Sequence, residues 1–76
     1  MKKYYSRSLT DNSHLYEYDD ETKTFYWMDH CWTGEGTWVL RDTPVTGIVE
    51  ISRERAMAIS KGTLFTAPRD NGREDR

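Results

Sequence analysis

The sequence predicts an α+β domain: a small, twisted antiparallel sheet of four to five strands with one short helix packed on one face. Three observations carry that expectation. The runs HLYEY and FYWMD alternate aromatic with other residues and flank the polar stretch DDETKT, the pattern of a β-hairpin. SRERAMAISKG, residues 52–62, has the capping residues and apolar spacing of a single helix. With 76 residues, the chain holds one domain near the lower size limit for unaided folding.

The elements follow in order. KKYYSRSL, residues 2–9, alternates loosely and is rich in Tyr, which makes it the first strand; TDNS supplies turn residues after it. In the hairpin, pairing Asp19 with Thr24 sets Tyr18 opposite Phe25, Tyr16 opposite Trp27 and His14 opposite Asp29. One face then carries Tyr16, Tyr18, Phe25 and Trp27, and the other Leu15, Glu17, Tyr26 and Met28. The wholly aromatic face is expected to form the core. TGEG, residues 33–36, is a loop. GTWVLRD is a fourth strand, broken at Asp42–Thr43–Pro44, and VTGIVEI, residues 45–51, is a fifth.

Ser52 is the expected helix N-cap, Glu54 complements the dipole in the first turn, and Gly62 suits the C′ position. Ala56 and Ile59, with Met57 and Leu64, make a narrow apolar stripe. A helix of about ten residues is marginal alone, so it must dock on the sheet. TLF adds a short strand or an anchored end. The domain is expected to span 1–65, and residues 66–76, TAPRDNGREDR, to form a flexible tail.

A hydrophobic fraction of 36% beside 32% charged residues points toward disorder when taken alone. The ten Phe, Trp and Tyr residues outweigh it, since each buries on the order of 150–250 Å². A lone cysteine excludes an internal disulfide, and no stretch has the apolar length of a signal peptide or a membrane span, so a cytoplasmic protein is expected. The net charge of −2 is unevenly spread. Residues 1–10 carry +3, residues 11–35 carry −6 and the remainder +1.

Chemistry, if present, has one natural location: FYWMDHCW, residues 25–32, where an Asp, a His and the Cys adjoin. In a regular strand His30 and Cys31 point to opposite faces, so an ion-binding cluster would need Asp29 and Cys31 with His14 from the next strand. That spacing matches no ligand motif. The plainer reading makes Cys31 a small buried hydrophobe and His14–Asp29 a cross-strand polar pair. As a nucleophile Cys31 lacks a following helix N-terminus to stabilise a thiolate. Asp19 and Asp20 sit on a solvated loop, where nothing shifts their pKa values toward acid–base work. TGEG has neither the spacing nor the lysine of a phosphate loop. No catalytic residue, metal or cofactor is expected.

Binding is therefore the expected function. The leading expectation is a non-enzymatic inhibitor or adaptor whose acidic, aromatic-rich sheet surface meets a protein or ribonucleoprotein with a basic surface. Tyr16, Glu17, Tyr18, Asp19, Asp20, Glu21 and Tyr26 are its candidate contacts. Size and charge alone place phage or mobile-element inhibitors of host machinery, anti-CRISPR proteins among them, in this format. The alternative is a nucleic-acid accessory protein that stacks bases on sheet aromatics and uses Lys2, Lys3, Arg53 and Arg55 on the phosphates. The acidity of the aromatic hairpin counts against it. A third possibility is a homodimer formed through an edge strand.

Overall fold

A computed structural model describes residues 1–43 and 45–70. The described elements are β1 (Lys2–Ser6), β2 (Tyr16–Asp19), β3 (Thr24–Asp29), a 3-10 turn at Cys31–Thr33, β4 (Thr37–Arg41), β5 (Val49–Ile51), α1 (Arg53–Ile59) and β6 (Arg69–Asp70). The strands form one sheet in the order β5-β1-β2-β3-β4-β6. The class is α+β, but the sheet has six strands and is mixed, because β6 runs parallel to β4. No helix among the described residues is long and apolar enough to cross a membrane.

The hairpin register is the expected one: Tyr16 opposes Trp27, Tyr18 opposes Phe25 and Asp19 opposes Thr24. The core, however, lies on the other face. Tyr4, Leu15, Met28, Trp38 and Ile51 pack against Ala56 and Ile59 of α1, together with Cys31 and Leu64. Those side chains are branched, flexible or large enough to fill the irregular space under a short helix. The glutamate that this face turns inward, Glu17, is tolerated because Arg69 pairs with it. Trp38 is fully buried at the centre, and its indole N–H donates to the Leu64 carbonyl at 3.2 Å.

The second face is covered differently. β4 and β5 lie on opposite sides of the sheet, so residues 42–48 must span four strand spacings, about 19 Å, which seven extended residues can just bridge at about 24 Å. The crossing passes over the aromatic face, where Val45 and Ile48 meet Tyr5, Tyr18 and Phe25. This strap explains why the expected strand over 45–51 is ordered as β5 only from Val49. The strand break expected at Pro44 lies outside the described residues.

α1 starts as expected. The Ser52 hydroxyl accepts from the Arg55 N–H at 3.0 Å, and Glu54 occupies the first turn. It ends at Ile59, with Gly62 (φ +86°) turning the chain and its N–H donating to the Met57 carbonyl. TLF forms turns, not a strand. The stretch expected as a tail is in part ordered: the Trp38 N–H donates to the Pro68 carbonyl at 2.9 Å, and Arg69 and Asp70 pair with Trp38 and Val39. The remainder of that expectation, residues 71–76, lies outside the described residues.

Candidate binding site

The stretch at 25–32 resolves into the end of a strand and a turn. β3 stops at Asp29, His30 adopts a left-handed conformation (φ 61°), and Cys31 opens the 3-10 turn. Cys31 is buried, while His30 is exposed and packs its ring 5.4 Å from that of Trp32. The two side chains diverge because the backbone reverses its local hand between them, not through the strand pleat invoked from sequence. His14 does not pair with Asp29. Its Nδ1 sits 2.8 Å from Asp11 Oδ2, and Asp29 lies 3.3 Å from His30. Burial pushes the Cys31 thiol up to about 11, with the Asp11 charge adding to the effect, so it is held as a neutral thiol. Among the described residues no group of three or more His, Cys, Asp or Glu side chains is placed to hold a metal ion.

The aromatic face presents a groove. Tyr5, Tyr18, Phe25, Val45 and Ile48 line an open cavity of about 340 Å³ between strap and sheet. Its floor follows from the register: Tyr16 stacks on Phe25 at 5.9 Å between ring centroids, and Tyr18 tilts against Phe25 at 6.4 Å. Among the described residues, the polar side-chain atoms of the lining residues are the Tyr5 and Tyr18 hydroxyls. The hairpin tip begins at Asp20, two residues beyond Tyr18, so Asp20 and Glu21 follow the end of the strand that carries Tyr18.

A second, polar cleft lies on the helix-bearing face beyond the reach of α1. Lys2, Glu17, Asp19, Thr22, Thr24, Tyr26 and Arg69 enclose about 270 Å³. At its floor Arg69 donates from Nη1 and Nη2 to the two Glu17 carboxylate oxygens at 2.9 and 3.0 Å. The same guanidinium lies 4.7 Å from the Tyr26 ring and 5.2 Å from that of Trp38.

The residues expected at the acidic surface therefore separate. Asp20 and Glu21 are exposed at the tip and Tyr18 is half-buried in the apolar groove. Asp19 faces the polar cleft, as does the half-buried Tyr26. Tyr16 is buried, and Glu17 is 1% exposed and ion-paired, so neither presents itself to a partner as expected. Glu17 is inward because it shares a cross-strand row with Tyr4 and Tyr26 on the core face.

Charge is also redistributed by folding. Lys2 opposes Asp19 and Lys3 opposes Tyr18, so the basic N-terminal strand lies beside the acidic hairpin. The Met1 ammonium donates to Asp20 at 2.7 Å and holds that carboxyl below its usual range. The alternative nucleic-acid set does not assemble. Lys3 is on the aromatic face, but Arg53 and Arg55 ride on α1 across the sheet. Arg55 is committed to the Asp11 carbonyl and Asn12 Oδ1, and Arg53 stands 6.0 Å from the Phe65 ring.

Sequence reasoning missed Tyr5, Val45, Ile48 and Arg69. The first three become neighbours only through the strand order, which no local pattern carries. Arg69 sits in a polar stretch whose one signal was an unpaired inward glutamate elsewhere in the chain. Comparisons with family models, with curated proteins and with solved structures find no match to this chain.

Proposed function

We propose that this protein is a non-enzymatic protein-binding module, an inhibitor or adaptor, that receives an apolar side chain of its partner in the strap groove. Asp20 and Glu21, exposed on the hairpin tip beyond Tyr18, meet basic groups flanking that side chain. The observation that carries this reading is the groove itself: an open, apolar cavity of about 340 Å³ on a domain of only 76 residues. That volume is at the small end of ligand sites and suits one or two side chains. Aromatic-lined pockets with a polar rim are where interface energy concentrates. The reading is supported from the other side by Cys31, the strongest nucleophile available, being buried and held protonated.

Because Lys2 and Lys3 lie beside the tip, the acidic residues act at short range and contribute little long-range steering. The test is capture on immobilised protein with three baits: wild type, Ile48→Asp and the double variant Asp20→Lys/Glu21→Lys. A protein retained by wild type and lost from both variants, with retention indifferent to nuclease, is the expected result. Equal retention by all three, or loss on nuclease treatment, refutes it.

A further inference from the structure

Arg69 is held in the way a bound ligand is held. Its fork is matched by both carboxylate oxygens of Glu17, and its guanidinium is flanked by two aromatic rings, Tyr26 and Trp38. That combination selects arginine: a lysine ammonium can neither match the fork nor stack in the same way. The element that delivers it is slight by comparison. β6 is two exposed residues long, and it pairs in the parallel sense, the less stable one. Its backbone is held by the Pro68 carbonyl and by pairing with Trp38 and Val39, Ala67 packs against the core, and Arg69 is the side chain that enters the cleft.

We propose that the cleft floored by Glu17 is an arginine-recognition slot. β6 fills it in cis, and an arginine on an extended segment of a protein partner takes it in trans by adding to the edge of β4. The inference rests on the reading above for the basic character of the partner, and it names the residue that partner must present. Two further features favour recognition over a purely structural role. Glu17 lies in β2, a central strand, where an apolar residue would stabilise the sheet at least as well as an ion pair. Asp19, Thr22 and Thr24 line the same cleft and offer polar atoms to groups flanking an incoming arginine.

The tethered segment competes with any free one at an effective concentration on the order of millimolar. An isolated short peptide therefore binds wild-type protein weakly, and a natural partner adds contacts at the adjacent hairpin tip. Removing the cis arginine exposes the slot.

The experiment uses the full chain with Arg69→Ala, titrated with the acetylated, amidated pentapeptide of residues 66–70, TAPRD, and with the same peptide carrying citrulline for arginine. The NMR signal of the Trp38 indole N–H reports occupancy. The variant is expected to bind the arginine peptide at least about tenfold more tightly than wild type does, and at least about tenfold more tightly than the citrulline peptide. Adding Glu17→Gln is expected to erase the preference for arginine. Equal binding of the two peptides by folded Arg69→Ala protein, or equal binding by variant and wild type, overturns the proposal. Should circular dichroism find Arg69→Ala unfolded, Arg69→Lys takes its place in the same comparison. Refolding of Arg69→Ala by the arginine peptide, and not by the citrulline one, supports the slot; failure of both variants to bind either peptide overturns it. The titration needs no partner, so its failure leaves the groove reading intact, and failed capture leaves the slot intact.

Discussion

The buried ion pair gives an asymmetric prediction that a double-mutant cycle can measure. Glu17 is 1% exposed, whereas the Arg69 side chain retains 31% of its accessible surface. Truncating Arg69 to Met keeps the apolar stem over Tyr26 and Trp38 but leaves the Glu17 carboxylate, at the floor of its cleft, without its charged partner. Such a loss costs about 3–5 kcal/mol. Changing Glu17 to Met instead leaves a guanidinium that can turn partly outward, so the cost falls to about 1–3 kcal/mol. With both replaced, no charge is buried and Met fills much of each volume, so the double variant should lie within about 1.5 kcal/mol of wild type. The coupling energy, the two single losses less that of the double variant, is then about 3–8 kcal/mol. A domain of this length has a total stability of roughly 4–11 kcal/mol, which makes Arg69→Met a severe but measurable lesion. Urea unfolding followed by Trp fluorescence, with the slope checked for two-state behaviour, is the assay. A coupling below about 0.5 kcal/mol, or Glu17→Met proving costlier than Arg69→Met, refutes the reasoning.

Three more outcomes are expected. Stability should fall in alkali, since burial pushes the Cys31 thiol from 9.0 up to about 11 and the Tyr4 phenol from 10.0 up to about 12, with Glu17 reinforcing the latter. In each case the unfolded chain loses its proton first. The contribution is therefore whole below about pH 9 and is lost as pH rises to about 12, at on the order of 2 kcal/mol per group; a flat profile of urea midpoint over pH 8–11 contradicts this. Gly36→Ala should destabilise by about 1–3 kcal/mol, because its Cβ would stand 2.7 Å from buried Met28 Cγ and Sδ and 3.0 Å from the Asp29 carbonyl; thermal melting checks it. Ser52→Ala should cost about 1 kcal/mol through the lost cap to the Arg55 N–H, and Ser52→Asp should recover most of it in the same melt.

Local features were legible where the physics is local. The hairpin register could be read because a period-two aromatic pattern on both sides of a polar hexapeptide allows only one pairing that keeps the faces coherent. The start of α1 was legible for the same reason, a cap and an acidic first turn. The choice of core face was not, since Tyr16, Tyr18, Phe25 and Trp27 looked more apolar than a set containing Glu17. What reversed the outcome was Arg69, 52 residues away, which makes an inward glutamate tolerable. The strap and its groove were illegible because VTGIVEI is a sound strand by composition. Only the need to join opposite sides of the sheet pulls residues 45–48 out of it. Cys31 was correctly taken as buried, but the left-handed turn at His30 that puts it there has no signal in a histidine.

The strap has a kinetic corollary. Since the chain leaves β4, passes over one face to β5 at the far edge, and returns along the other face to place β6 beside β4, it encircles the strands between. Each of those closures joins residues dozens of positions apart, and loop entropy is spent before any pairing returns it. Domains of similar size built from local contacts fold in microseconds to milliseconds. This one should instead refold on the millisecond-to-second scale of β-rich topologies.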